Sequence, residues 1–215
     1  MSFSRLVTFG CSLTFGMNLD DNYPNNEFPS KFSWPTNLAK LLDVPIENKG
    51  ILGASNKEIL YTLLNYNFNA DDIVFVLWSH HDRHCIITDE NIVDPIGIWQ
   101  KKNKSSRLFF KQLWNFYDRK IESYFYYNFA HLYLQEKNIK HVFLVHQKGY
   151  IDLTLEWNSI NFLNVFLTDI RDRYPLAKDN SHPGIEAYKI FAEDIYHKYN
   201  TNDFYIGDKN ETSLF

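Results

Sequence analysis

Three short runs of the chain carry β-branched, aliphatic and aromatic residues with almost no polar alternation: Leu6-Val7-Thr8-Phe9, Ile73-Val74-Phe75-Val76-Leu77-Trp78 and His141-Val142-Phe143-Leu144-Val145. A strand with one wet face alternates apolar and polar positions, so unbroken runs predict strands covered on both faces, as in a parallel sheet. Weaker strands are predicted at Pro45 to Asn48 and near Asn161 to Phe166. Between these runs apolar positions recur at helical spacing. This predicts helices over Trp34 to Leu42, over Ser55 to Tyr66 with Ile59, Leu60, Leu63 and Leu64 on one side, from about Leu108 to Glu136, and over Gly184 to Tyr199. Alternation of strand and helix along the whole length predicts one α/β domain over residues 1–215, a three-layer α/β/α sandwich on a mostly parallel sheet of about five strands. Two insertions break the rhythm, near residues 18–35 and 84–107. Each follows a predicted strand, and loops at the carboxyl ends of strands in such sheets surround ligands, so both are candidate rims. The Lys101, Lys102, Lys104 and Arg107 cluster in the second reads first as a solvated loop entering the long helix.

Composition narrows the function classes. The 215 residues are 45% apolar and 22% charged, which excludes a disordered or fibrous chain. A formal net charge of -4 leaves no basic field for a nucleic-acid backbone, so no nucleic-acid partner is expected. Two cysteines, Cys11 and Cys85, cannot form a disulfide framework, and a reducing compartment is the simpler expectation. Gly10 ends the first apolar stretch too early for a signal peptide, and no run approaches a membrane span. A cytoplasmic, or at least not classically exported, protein without a membrane partner is therefore expected. Aromatic residues reach 17%, which serves core packing first and a sugar platform second.

Three segments carry candidate chemistry. The first strand breaks at Gly10-Cys11-Ser12, which sets a hydroxyl at the carboxyl edge of the sheet beside fresh backbone N–H groups. Near the other end, Asp179-Asn180-Ser181-His182-Pro183-Gly184 places a carboxylate and an imidazole three residues apart on one turn, where the carboxylate can take the Nδ1 proton and leave Nε2 as a base. Pro183 fits the first turn of the closing helix, and a helix cap by Asp179 or Ser181 beside a bystander His182 is the competing explanation. The third segment, Asn48-Lys49-Gly50-Ile51-Leu52-Gly53-Ala54-Ser55, bends tightly and exposes N–H groups where a helix begins, a place to hold a developing oxyanion. A G-x-S-x-G elbow is excluded by Leu13-Thr14. The sequons at Asn103 and Asn210 read as chance matches.

In this order, the three segments resemble the SGNH or GDSL-type hydrolase family over nearly the whole chain. The resemblance implies a flavodoxin-like sandwich with Ser12 as nucleophile, His182 as general base, Asp179 as its orienting partner and Gly53 as an oxyanion donor. It implies a serine esterase acting on an O-acyl ester, an O-acetylated carbohydrate among them, through an acyl-enzyme and with no cofactor or metal. Acyl transfer would use the same residues. Two departures stand out. Cys11 replaces the Asp of the first block, which lies outside the triad. In the third block, where the family has Gly-x-Asn-Asp, this chain reads Trp78-Ser79-His80-His81, so His80 falls in the slot of the oxyanion-hole Asn and Ser79 is its rival. Two further readings come from this block: an inactive carbohydrate-binding or structural module that lost the Asn, and a metal hydrolase in which His80 and His84 share a helix face.

Overall fold

The computed structural model describes residues 3–88, 93–97, 104–150 and 160–205. Lys101, Lys102, Asn103 and Asn210 lie outside the described residues. Eight strands are described: β1 (Arg5–Gly10), β2 (Ile46–Gly50), β3 (Asp72–Trp78), β4 (His84–Ile87), β5 (Val93–Ile96), β6 (Lys140–Val145), β7 (Phe162–Leu163) and β8 (Phe204–Tyr205). The α-helices are α1 (Ser12–Phe15), α2 (Trp34–Leu42), α3 (Asn56–Leu64), α4 (Lys104–Leu108), α5 (Phe116–Glu136), α6 (Thr168–Arg171) and α7 (Ile185–Asn200). The main sheet runs β2-β1-β3-β6-β7-β8, with all neighbours parallel except the last pair. Leaving aside the separate β4–β5 hairpin, the parallel strands follow the flavodoxin-like order, which has its switch point between β1 and β3.

The unbroken apolar runs are explained by the two faces of this sheet. Side chains alternate along a strand, so β3 sends Ile73, Phe75 and Leu77 into one core and Val74, Val76 and Trp78 into the other. The first core is closed by α2 and α7, with Trp34 edge-on to Phe191 at 5.8 Å between ring centroids. The second is closed by α3 and α5 through Ile59, Leu63, Tyr124, Tyr127, Ala130 and Leu134. The aromatic content accordingly goes first into packing: Trp34, Trp78, Tyr124, Tyr127 and Tyr188 are all fully buried. Both cysteines are buried free thiols. Among the described residues no helix is long and apolar enough to cross a membrane.

Three expectations change. The long helix begins at Phe116 rather than near Leu108, because Asn115 stops the preceding chain and caps α5 by accepting from the Tyr117 and Asp118 N–H groups at 2.9 and 3.1 Å. Upstream lie α4 and a π-helical segment, Phe109–Leu113, and the second insertion carries the β4–β5 hairpin. The strand expected near residues 161–166 is only Phe162–Leu163.

The short α1 is clamped against the end of β2. Asn48 accepts from the Gly50 N–H and donates to the Thr14 carbonyl, both at 2.8 Å. A Cβ on Gly50 would sit 2.8 Å from Phe15 Cα and 2.9 Å from the Thr14 carbonyl carbon, so α1 approaches this strand only because the side chain is absent. Gly50→Ala is expected to destabilise the fold by roughly 1–3 kcal/mol, the usual cost of overpacking. Denaturant unfolding measures it, and an unchanged midpoint would show that α1 yields freely.

Candidate active site

Strand register brings the conspicuous segments to one edge. Gly10 at the end of β1 pairs with Gly50 on β2 and Leu77 on β3, and Leu77 pairs with Leu144 on β6. The residues that follow each of these positions therefore emerge side by side at the carboxyl edge, with β2 and β3 flanking β1. This is the crevice where ligands bind in open α/β sheets. Ser12 opens α1, and Cys11, fully buried beneath it, is the N-cap whose carbonyl accepts from Thr14 and Phe15 at 2.9 and 3.0 Å. Gly53 turns the chain out of β2 at φ 75°, a left-handed conformation that a side chain would strain. Ser55 then caps α3 by accepting from the Glu58 N–H at 3.2 Å.

The other half of the site comes from the loop before α7. It is pinned by a bridge between Leu176 and Pro183 and by the Ala177 N–H donating to the His182 carbonyl at 2.9 Å. Asp179 Oδ1 accepts from the Ser181 and His182 N–H groups, each at 3.0 Å, and this turns its second oxygen toward the imidazole. His182 Nδ1 lies 2.6 Å from Asp179 Oδ2, and Nε2 lies 3.0 Å from Ser12 Oγ, which is 170 residues away in sequence. An ionised carboxylate can only accept, so Nδ1 carries the proton and Nε2 faces the serine hydroxyl with its lone pair. The Asn18 amide also donates to Asp179 Oδ2, at 2.9 Å. Partial burial works to raise the Asp179 carboxyl, but the hydrogen bonds from the His182 N–H and ring, Asn18 and Ser181 outweigh it and hold the group well below the usual carboxylate range. Asp179 is thus no helix cap. Gly184 is the N-cap of α7, and Pro183 lies outside the helix instead of in its first turn.

The third block follows β3. Asn56, in the first turn of α3, imitates a strand neighbour by accepting from the Ser79 N–H at 2.7 Å and donating to the Ser79 carbonyl at 3.2 Å. Ser79 is wholly buried. His80 is only partly buried, and its ring lies 4.0 Å from that of the buried His146 just past β6. Burial, then the neighbouring His146, Arg83 and His81, pulls the His80 imidazole down to about 2, so it is neutral with one N–H to donate. His81 turns inward, 3.2 Å from the Tyr127 hydroxyl. The helix face required by the metal reading does not form: residues 79–83 are turn and irregular backbone, and His84 begins β4, stacked on Phe109 at 4.9 Å. Among the described residues no group of three or more His, Cys, Asp or Glu is placed to hold a metal.

No family model and no curated protein matches the sequence. Solved structures do match. TesA is 12% identical over 92% of this chain and 99% of its own, with a TM-score of 0.60. A member of the lipolytic protein G-D-S-L family from Veillonella parvula is 13% identical over 92% and 98%, with a TM-score of 0.52. The acetyl xylan esterase Est2A from the rumen bacterium Butyrivibrio proteoclasticus is 10% identical over 93% of this chain and 64% of that one, with a TM-score of 0.54. The chain therefore has the α/β sandwich fold of the G-D-S-L lipolytic proteins and esterases.

Proposed function

We propose that the chain is a serine ester hydrolase of the SGNH/GDSL type, with Ser12, His182 and Asp179 as its triad. The observation that carries this reading is the hydrogen-bonded sequence Ser12 Oγ, His182 Nε2, His182 Nδ1 and Asp179 Oδ2, set at the carboxyl edge of the sheet beside its switch point. Ser12 Oγ attacks the acyl carbonyl while Nε2 takes its proton, and Asp179 stabilises the imidazolium that forms. The N–H groups of Ser12 and Gly53 hold the oxyanion, Nε2 returns the proton to the departing alcohol, and water activated by the same imidazole releases the acid. Every step uses the chain's own side chains and backbone N–H groups together with water, without a cofactor or metal. The substrates proposed are small O-acyl esters and O-acetylated carbohydrates.

Covalent labelling with a fluorophosphonate, followed by peptide mapping, tests the reading without knowledge of the substrate. Label is expected on Ser12. An unlabelled protein would favour the inactive binding module, and label on Ser12 with acyl transfer to added alcohols outrunning hydrolysis would favour a transferase.

For the third oxyanion donor we propose His80 over Ser79, since a donor must reach the substrate and the Ser79 side chain is wholly enclosed. His80→Ala is expected to lower kcat by roughly 10²-fold to 10³-fold with KM nearly unchanged, the effect of losing one such donor. His80→Asn restores much of the rate by setting an amide in the slot, and Ser79→Ala stays close to wild type. A normal rate in His80→Ala with a large loss in Ser79→Ala would reverse the assignment.

A further inference from the structure

We infer that Asn18 is a positioning residue for the triad carboxylate, a brace from the first insertion that holds Asp179 Oδ2 against His182 Nδ1. The inference rests on the triad reading for its catalytic meaning, while the geometry stands by itself. The turn that carries Asp179 fixes only one carboxylate oxygen, since Oδ1 takes the Ser181 and His182 N–H groups. Oδ2 meets two donors, the His182 ring at 2.6 Å and Asn18 Nδ2 at 2.9 Å, and the second of these comes from 161 residues away.

The orientation of the Asn18 amide is forced by its neighbours. The group facing a carboxylate must be the NH2, which turns the Asn18 oxygen toward Asn26 Nδ2 at 2.7 Å. Asn26 returns the contact by accepting from the Asn18 backbone N–H, also at 2.7 Å. The Asn18 carbonyl accepts from the Lys178 N–H at 3.1 Å, so the residue before Asp179 is docked on the same support. Asn18 is buried and sits at φ 61°, a left-handed conformation that Asn, Asp and Gly tolerate better than other residues. One residue thus grips both the backbone of the loop and the working oxygen of its carboxylate. The charged and titratable groups around Asp179 are His182, the exposed Lys178–Asp20 pair at 3.0 Å, and the buried Tyr188.

Two substitutions separate positioning from scaffolding. Asn18→Gly keeps the left-handed backbone and removes only the amide. Asn18→Asp keeps the size, the tolerance of positive φ and an oxygen for Asn26, but sets an acceptor against Asp179. A donor role predicts rates in the order Asn, Gly, Asp at neutral pH, with kcat down about tenfold in Asn18→Gly and further in Asn18→Asp, at similar KM. A scaffolding role predicts that Asp matches Asn and that Gly is worst, and this order would overturn the inference.

A second readout needs no activity. With the amide gone, Asp179 loses one of the hydrogen bonds that hold its carboxyl low, so the NMR titration of the Asp179 carboxyl should move to higher pH in Asn18→Gly. A titration that coincides with wild type would overturn the inference even if Ser12 is labelled and ester is hydrolysed. A shifted titration in a protein that hydrolyses no ester would retain it while the proposed activity falls.

Discussion

Replacing Ser12 by alanine is expected to remove fluorophosphonate labelling and to lower hydrolysis of a short-chain aryl ester by about 10⁴-fold or more. The size of the effect follows from the geometry, because Ser12 Oγ is the oxygen at 3.0 Å from His182 Nε2. The neighbouring thiol offers no substitute. Cys11 is fully buried as the N-cap of α1, and its side chain packs with the core beneath the turn. The fold should survive the change. The contacts that hold α1 at this point run through the Ser12 carbonyl, which accepts from Gly16 and Met17 at 3.0 and 3.1 Å, and these are kept in alanine. A melting temperature close to wild type alongside the lost rate separates chemistry from unfolding. A variant that keeps more than a tenth of the activity would mean that another group attacks the ester.

Much of this arrangement is legible in the residues because it depends on local order. The run from Ile73 to Trp78 lacks polar alternation since both of its faces are covered, and that alone indicates a parallel sheet with helices on each side. The Asp-x-x-His spacing places Asp179 and His182 on one turn, and the Gly10-Cys11-Ser12 break places the hydroxyl at a strand end. What the residues do not display depends on contacts distant in sequence. Nothing near Asn18 announces Asp179, and nothing near Asn56 announces Ser79, because asparagines in turns ordinarily bind their own backbone. The break before α5 is signalled by Asn115 followed three residues later by Asp118, but apolar and aromatic residues continue on both sides of it and mask the break. The His80 to His84 spacing suggests a helix face only if the backbone is helical there, and it is not.

Asp179→Asn should cost nearly as much as loss of the nucleophile, about 10⁴-fold in kcat, although it changes a single atom. Oδ1 is committed to the Ser181 and His182 N–H groups, so the new NH2 takes the place of Oδ2 and faces both the His182 ring and the Asn18 amide. Opposed to a donor, Nδ1 must become the acceptor, the ring proton moves to Nε2, and no lone pair remains for Ser12. In the wild type the carboxyl stays ionised through the working pH range, since its hydrogen bonds hold it well below the usual carboxylate value against the effect of burial. The same depression has a stability consequence of definite sign. A carboxyl lowered in the folded state stabilises the protein fully above its unfolded value of about 3.9, and the contribution fades as pH falls through the folded value. The gap in melting temperature between wild type and Asp179→Asn should then be widest near neutral pH and close below about pH 4. A gap that stays constant into acid would show that Asp179 is not held as a charged acceptor. Retention of activity within tenfold would show that the imidazole is oriented by something else, and the triad reading would fall with it.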